Sequence, residues 1–139
     1  MNAVIYARYS DDSQRKESIK GQIRECMEYA EKEGMITHSF AVVTTACANE
    51  DEADRIASAL IKKKLAACVQ MLPISSRYIW DGELCSDKEV LLLIKCRRDK
   101  YADIEQTILE NHSYELPEIL LTPVEGGYAK YLEWIEACN

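Results

Sequence analysis

Tyr78-Ile79-Trp80-Asp81-Gly82 decides how this chain folds. Three β-type residues run into Asp-Gly, a favoured pair for two-residue hairpin loops because both positions take positive φ. Upstream, Leu65-Ala66-Ala67-Cys68-Val69-Gln70-Met71-Leu72 enters a strand, and Tyr78-Ile79-Trp80 continues it after Pro73. Downstream, Val90-Leu91-Leu92-Leu93-Ile94-Lys95-Cys96 is a strongly apolar strand. A hairpin therefore stands at the centre of the chain's second piece, with helix signals on both sides.

Before the hairpin, Phe40-Ala41-Val42-Val43-Thr44-Thr45 reads as a strand. Asn49 follows as an N-cap, with Glu50, Asp51 and Glu52 in the first turn, where the helix dipole favours acids. Ala53, Ile56, Ala57, Leu60 and Ile61 make an apolar helix face that ends at Lys62-Lys63-Lys64. After the hairpin, Tyr101 to Glu110 has Tyr101, Ile104 and Ile108 on one face. Ile119 to Val124 is a fourth strand, Gly126-Gly127 a break, and Tyr128 to Ala137 a last short helix. The order β-α-β-β-α-β plus a helix predicts an α+β, ferredoxin-like antiparallel sheet with helices on one face. Its span is residues 38–139.

Residues 1–37 read as a separate β-α appendage. Val4-Ile5-Tyr6-Ala7 is a short β-type run, and Ser18 caps a helix from Ile19 to Lys32. Ile23, Met27 and Ala30 form its apolar stripe, with Cys26 beside them, and Gly34 ends it.

The whole chain has 139 residues, 47% hydrophobic and 29% charged, which suits a folded core rather than disorder or low complexity. No apolar run approaches the ~20 residues of a membrane helix. Met1-Asn2-Ala3-Val4 lacks the features of a secretory signal, so a cytoplasmic location is expected. With 17 basic and 24 acidic residues the formal net charge is −7, which argues against a stand-alone nucleic-acid binder. The six cysteines, Cys26, Cys47, Cys68, Cys85, Cys96 and Cys138, show no Cys-x-x-Cys pair and read as free thiols. Two histidines, His38 and His112, limit any multi-histidine metal site. A Ser-His-Asp hydrolase has little support, since neither histidine lies near a sharp nucleophile turn.

The second piece resembles the CutA divalent-cation tolerance family over about residues 39–136. The carrying blocks are Thr45-Ala46-Cys47-Ala48-Asn49-Glu50, Lys64-Leu65-Ala66-Ala67-Cys68-Val69 and Tyr78-Ile79-Trp80-Asp81-Gly82. Glu89-Val90, Ile94-Lys95, His112-Ser113-Tyr114-Glu115-Leu116-Pro117-Glu118 and Tyr131-Leu132-Glu133-Trp134 continue them. The resemblance implies a non-enzymatic, cytosolic homotrimer with sheet edges paired between subunits, linked to tolerance of copper and other divalent cations. The expectation is weak cation binding or service as an assembly platform. A trimeric small-molecule or signalling sensor is the alternative reading.

The first piece resembles the opening of a serine recombinase, through Tyr6-Ala7-Arg8-Tyr9-Ser10, Gln14, Ser18-Ile19-Lys20-Gly21-Gln22 and Glu25-Cys26. In that family the serine matching Ser10 attacks a DNA phosphate and the arginine matching Arg8 holds it. The match stops after about 35 residues. One serine and one arginine cannot supply phosphoryl transfer, which depends on positioning and charge stabilisation. This segment is expected to be a fused fragment without DNA activity.

Candidate metal ligands are His112, a borderline donor, with Glu118, a hard one, and Cys47. Cys47 stands at a strand end before a helix N-terminus, a place expected to lower a thiol pKa. Many family members have His-Pro-Tyr where this chain has Ser113 after His112. Some bacterial members have a second histidine where it has Asn111, and some a cysteine where it has Thr45. Other members place a cysteine at the position of Cys47. Cys68, in an apolar setting, is expected in the core. Tyr78, Trp80, Tyr114 and Trp134 are candidates for a subunit interface or a ligand pocket between subunits.

Overall fold

A computed structural model of the chain describes residues 21–22, 24–26, 29 and 39–138. The chain divides into two compact units, Met1–Ser39 and Phe40–Asn139. In the first, Gly21, Gln22, Arg24, Glu25, Cys26 and Tyr29 are helical, within the helix expected over 19–32. The expected strand at 4–7, Arg8, Ser10 and the rest of that helix lie outside the described residues.

The second unit runs β1 (Phe40–Cys47), α1 (Glu50–Lys62), β2 (Cys68–Trp80), β3 (Glu83–Arg97), α2 (Tyr101–Asn111), β4 (Leu120–Val124) and α3 (Ala129–Ala137). A 3-10 turn at Arg98–Lys100 leads into α2. The sheet order is β2-β3-β1-β4, antiparallel at every step. This is the ferredoxin-like topology expected from the element order.

The hairpin forms at Asp81 and Gly82, whose φ values of 49° and 80° are those of a type I′ turn. As expected, the second strand continues past Pro73: β2 runs straight through it, with Pro73 paired to Val90. An edge strand tolerates proline, whose missing N–H would leave a gap in a central one. The other edge, β4, also holds a proline, Pro123.

Helix α1 starts as expected: the Asn49 side chain accepts from Glu52 N–H at 2.9 Å. It ends in a Schellman motif. Leu65 N–H donates to Leu60 C=O at 2.9 Å and Lys64 N–H to Ile61 C=O at 3.0 Å. Lys64 there adopts φ 55°, a left-handed conformation usually given to glycine.

One core lies between the sheet and the helices α1 and α2. Ala41, Val43 and Cys47 of β1 and Val90, Leu92, Ile94 and Cys96 of β3 face Ala53, Ile56, Leu60, Ile104 and Ile108. The alternation along both strands puts these residues on one face. Helix α3 packs near β3. Its Ile135 is buried outside the core cluster, and its Glu136 approaches Arg97, whose neighbour Cys96 points into the core. Cys68, expected in the core, is only half-buried. It opposes Lys95 on β3 and so shares the face away from Ile94 and Cys96.

Strand β1 pairs with β3 only over Val90–Arg97. The remainder of the hairpin, Ile74–Trp80 against Glu83–Glu89, extends past the four-stranded sheet as a two-stranded arm. It carries Ile79 and Leu84, directly opposed and 65% and 73% exposed.

Candidate metal centre

Three chain segments meet where β1 ends. Cys47, the last residue of β1, is fully buried. Two residues later Asn49 caps α1, and Glu52, in the first turn, is buried too. Helix α2 stops at Asn111, and His112 turns extended (φ −87°, ψ 140°), which brings the chain back over the strand end. The side chains of His112 and Glu52 are 1% and 4% exposed.

The Glu52 carboxylate and the His112 ring are both wired to backbone. Glu52 Oε2 accepts from Ala48 N–H at 2.9 Å and Oε1 from Ser113 N–H at 2.5 Å. Arg55 stands 3.8 Å from Oε1 and donates to Asn111 C=O at 2.7 Å. His112 Nε2 lies 2.8 Å from Ala46 C=O, and Nδ1 accepts from Tyr114 N–H at 3.1 Å. A carbonyl can only accept and an N–H only donate, so these partners suit a ring that donates from Nε2 and accepts at Nδ1. Nδ1 sits 4.0 Å from Glu52 Oε2.

The electrostatics follow from these contacts. Burial pushes the Glu52 carboxyl pKa up, but the Ala48 N–H, the Ser113 side chain and N–H, and His112 outweigh it and hold the group below the ordinary carboxylate value. Burial pushes the Cys47 thiol up to about 12, with Glu52 and Glu89 adding to the rise. This corrects the expectation of a thiol activated by the helix N-terminus. Glu52 occupies that terminus, and its negative charge sits beside the sulfur.

Of the three ligands expected from sequence, the structure brings together Cys47 and His112. The third member of the cluster is Glu52, with ligand atoms of all three within 4.8 Å of one another. Glu118, exposed and further along the same loop, is not part of it. Sequence reasoning assigned Glu52 to the helix dipole alone. The sign that it does more was its place as the third helical residue after an Asn cap, the position from which a carboxylate folds back to the chain before the helix.

The aromatic candidates are spread over the unit. Tyr114 hydroxyl donates to Glu89 at 3.0 Å, which leaves the loop after α2 anchored to the base of the arm. Tyr78, on the arm, donates to Asp87. The Asp87 hydrogen bond chiefly raises the Tyr78 phenol pKa, to about 12, while burial, the Glu89 hydrogen bond and nearby carboxylates raise that of Tyr114. Trp80 lies at the arm tip, and Trp134 on α3 packs against Tyr131 with ring centroids 5.5 Å apart.

The donor set fits a divalent cation of borderline or soft character. Sulfur, imidazole nitrogen and one carboxylate oxygen suit zinc or copper, whereas magnesium and calcium take six or more oxygens. Thr45, two residues before Cys47 on the same strand face, is fully buried, and its hydroxyl has no hydrogen-bond partner among the described residues. Among those residues no helix is long and apolar enough to cross a membrane.

A family model described as CutA1 divalent ion tolerance protein matches residues 41–138. Over 99 residues the chain is 37% identical to the divalent-cation tolerance protein CutA of Archaeoglobus fulgidus, covering 71% of this chain and 95% of that one. Over 96 residues it is 40% identical to the chloroplastic protein CutA 1 of Oryza sativa, covering 68% of this chain but 54% of the plant protein. The chain thus spans about half the length of the plant relatives it matches. Among solved structures, CutA1 from the psychrotrophic bacterium Shewanella sp. SIB1 superposes with a TM-score of 0.71 at 41% identity, covering 74% of this chain and 97% of that one.

Proposed function

The chain belongs to the CutA1 divalent ion tolerance family, and from that premise we propose that it serves divalent-cation tolerance by binding a cation at the Cys47–Glu52–His112 corner, without catalysis. The observation that carries this reading is the convergence of sulfur, imidazole nitrogen and carboxylate oxygen within 4.8 Å in a buried site. His112 and Glu52 are already oriented by backbone partners, as ligands of metal sites usually are. Cys47 must lose its proton against a pKa of about 12, so the cation competes with a proton and affinity rises with pH. That competition supports weak binding and a thiophilic cation such as copper or zinc. Glu118, on the loop that carries His112, remains a candidate for a further donor.

The remainder of the reading is a cytoplasmic homotrimer with no nucleic-acid partner. Tyr78, Trp80, Tyr114 and Trp134 would line its subunit contacts or a pocket between subunits. The exposed apolar pair Ile79 and Leu84 on the arm supports such a contact. Residues 1–37 are read as an appendage resembling the start of a serine recombinase. The family match beginning at residue 41 supports treating them apart.

Calorimetric titration of the full chain with Zn(II) or Cu(II) tests the site. Both Cys47→Ser and His112→Ala are expected to weaken binding at least about tenfold. Unchanged affinity in His112→Ala would remove the corner from consideration.

A further inference from the structure

Resting on the reading of this corner as a cation site, we propose that cation capture by His112 releases the following loop, so that the 113–118 segment reports whether the site is loaded. The argument is a count of lone pairs. A neutral imidazole has one N–H and one lone pair. In His112 the N–H on Nε2 faces Ala46 C=O and the lone pair on Nδ1 accepts from Tyr114 N–H.

A cation can take either nitrogen. If it takes Nδ1, the nitrogen nearer Glu52, it occupies the lone pair that Tyr114 N–H now uses. If it takes Nε2, the ring proton moves to Nδ1, which then becomes a donor and can no longer accept. Both routes deprive Tyr114 N–H of its partner. Glu52 is different, because each carboxylate oxygen keeps a second lone pair after accepting from Ala48 or Ser113. Glu52 can hold a cation and its backbone partners together; His112 cannot.

The displaced amide sits at a leveraged place. Tyr114 also donates its hydroxyl to Glu89, at the point where β3 leaves the four-stranded sheet and enters the arm. Loss of the amide bond loosens one end of a tie whose other end holds the arm's base. The device joins a buried cation site to the apolar arm through two hydrogen bonds of one residue.

The test follows the Tyr114 amide in the full-length protein by ¹H–¹⁵N NMR, with calorimetry on the same samples. On saturation with Zn(II), the Tyr114 amide resonance is expected to shift and its hydrogen exchange to rise about tenfold or more. Cys47→Ser, titrated to the same zinc concentration, should show a smaller change in proportion to its lower occupancy. Linkage supplies a second readout: Tyr114→Phe unties the loop from Glu89 and should raise zinc affinity about threefold to tenfold. Calorimetric binding with an unchanged Tyr114 amide would overturn the release while leaving the cation site standing. No heat and no spectral change would overturn both. Weaker zinc binding by Tyr114→Phe would show that the loop assists capture, against the proposal.

Discussion

Thr45 is a fully buried residue whose hydroxyl is unpartnered among the described residues. An unmade hydrogen bond in a core costs about 1–3 kcal/mol. Valine has the same shape without the hydroxyl, so Thr45→Val should stabilise the fold by about 1–2 kcal/mol, read from the urea midpoint at constant m. A neutral or destabilising result would mean that the hydroxyl has a use within the assembly. Glu52 is the opposite case. Two backbone N–H groups, those of Ala48 and Ser113, point at its two oxygens. Glutamine can accept from one of them, but its NH₂ would face the other donor, so Glu52→Gln should cost about 2 kcal/mol at neutral pH. The folded carboxyl pKa is lowered. Its stabilisation is therefore present above the unfolded value of about 4.3 and fades as pH falls through the lower folded value. The gap between wild type and Glu52→Gln should shrink below about pH 4, which acid-dependent melting would check. Sequence placed Cys47 and His112 in the site because their chemistry is intrinsic to residue type. For Glu52 the one local sign was its place three residues after the Asn49 cap; its burial beside Ser113 is a contact 61 positions away in the chain, which no local pattern carries.

Element boundaries were legible where local chemistry fixes them. Asp81-Gly82 and the Asn49 cap formed as read, since turn and cap preferences act over two to four residues. The continuation of β2 past Pro73 was legible in Tyr78-Ile79-Trp80, and its place at the sheet edge explains why the proline is tolerated. One feature escaped. The extension of β3 back to Glu83 depends on pairing with β2 alone, outside the apolar run that marked the strand. At the end of α1, the sequence offered Lys62-Lys63-Lys64 as a dipole partner, and the structure adds a strained backbone at Lys64. A left-handed conformation costs a non-glycine residue about 1–2 kcal/mol, partly offset by glycine's greater entropy when unfolded. Lys64→Gly should therefore raise stability by about 0.5–1 kcal/mol in chemical denaturation. Destabilisation instead would show that the lysine side chain makes a contact worth more than the strain.

At the scale of the whole molecule, the arm is the part that the unit's own core does not explain. Its Ile79 and Leu84 oppose each other, 65% and 73% exposed, on a two-stranded ribbon beyond the four-stranded sheet. An isolated two-stranded hairpin is marginal in water, so a ribbon with apolar residues near its tip needs something to lie against. A second and third copy of the chain would supply it, as the resemblance to the family implies. The variant Ile79→Glu/Leu84→Glu places two like charges opposite each other on that surface, which costs little in a free arm and much in an apolar contact. Light scattering of the full chain should give the mass of three chains for wild type and of one chain for the double variant. The far-ultraviolet spectrum should stay the same, because neither residue belongs to the core cluster between the sheet and the helices α1 and α2. Retention of the trimer mass by the variant would move the interface off the arm. Tyr114 would then hold the base of an arm with no partner to respond to it, and loop release at His112 would end within one chain.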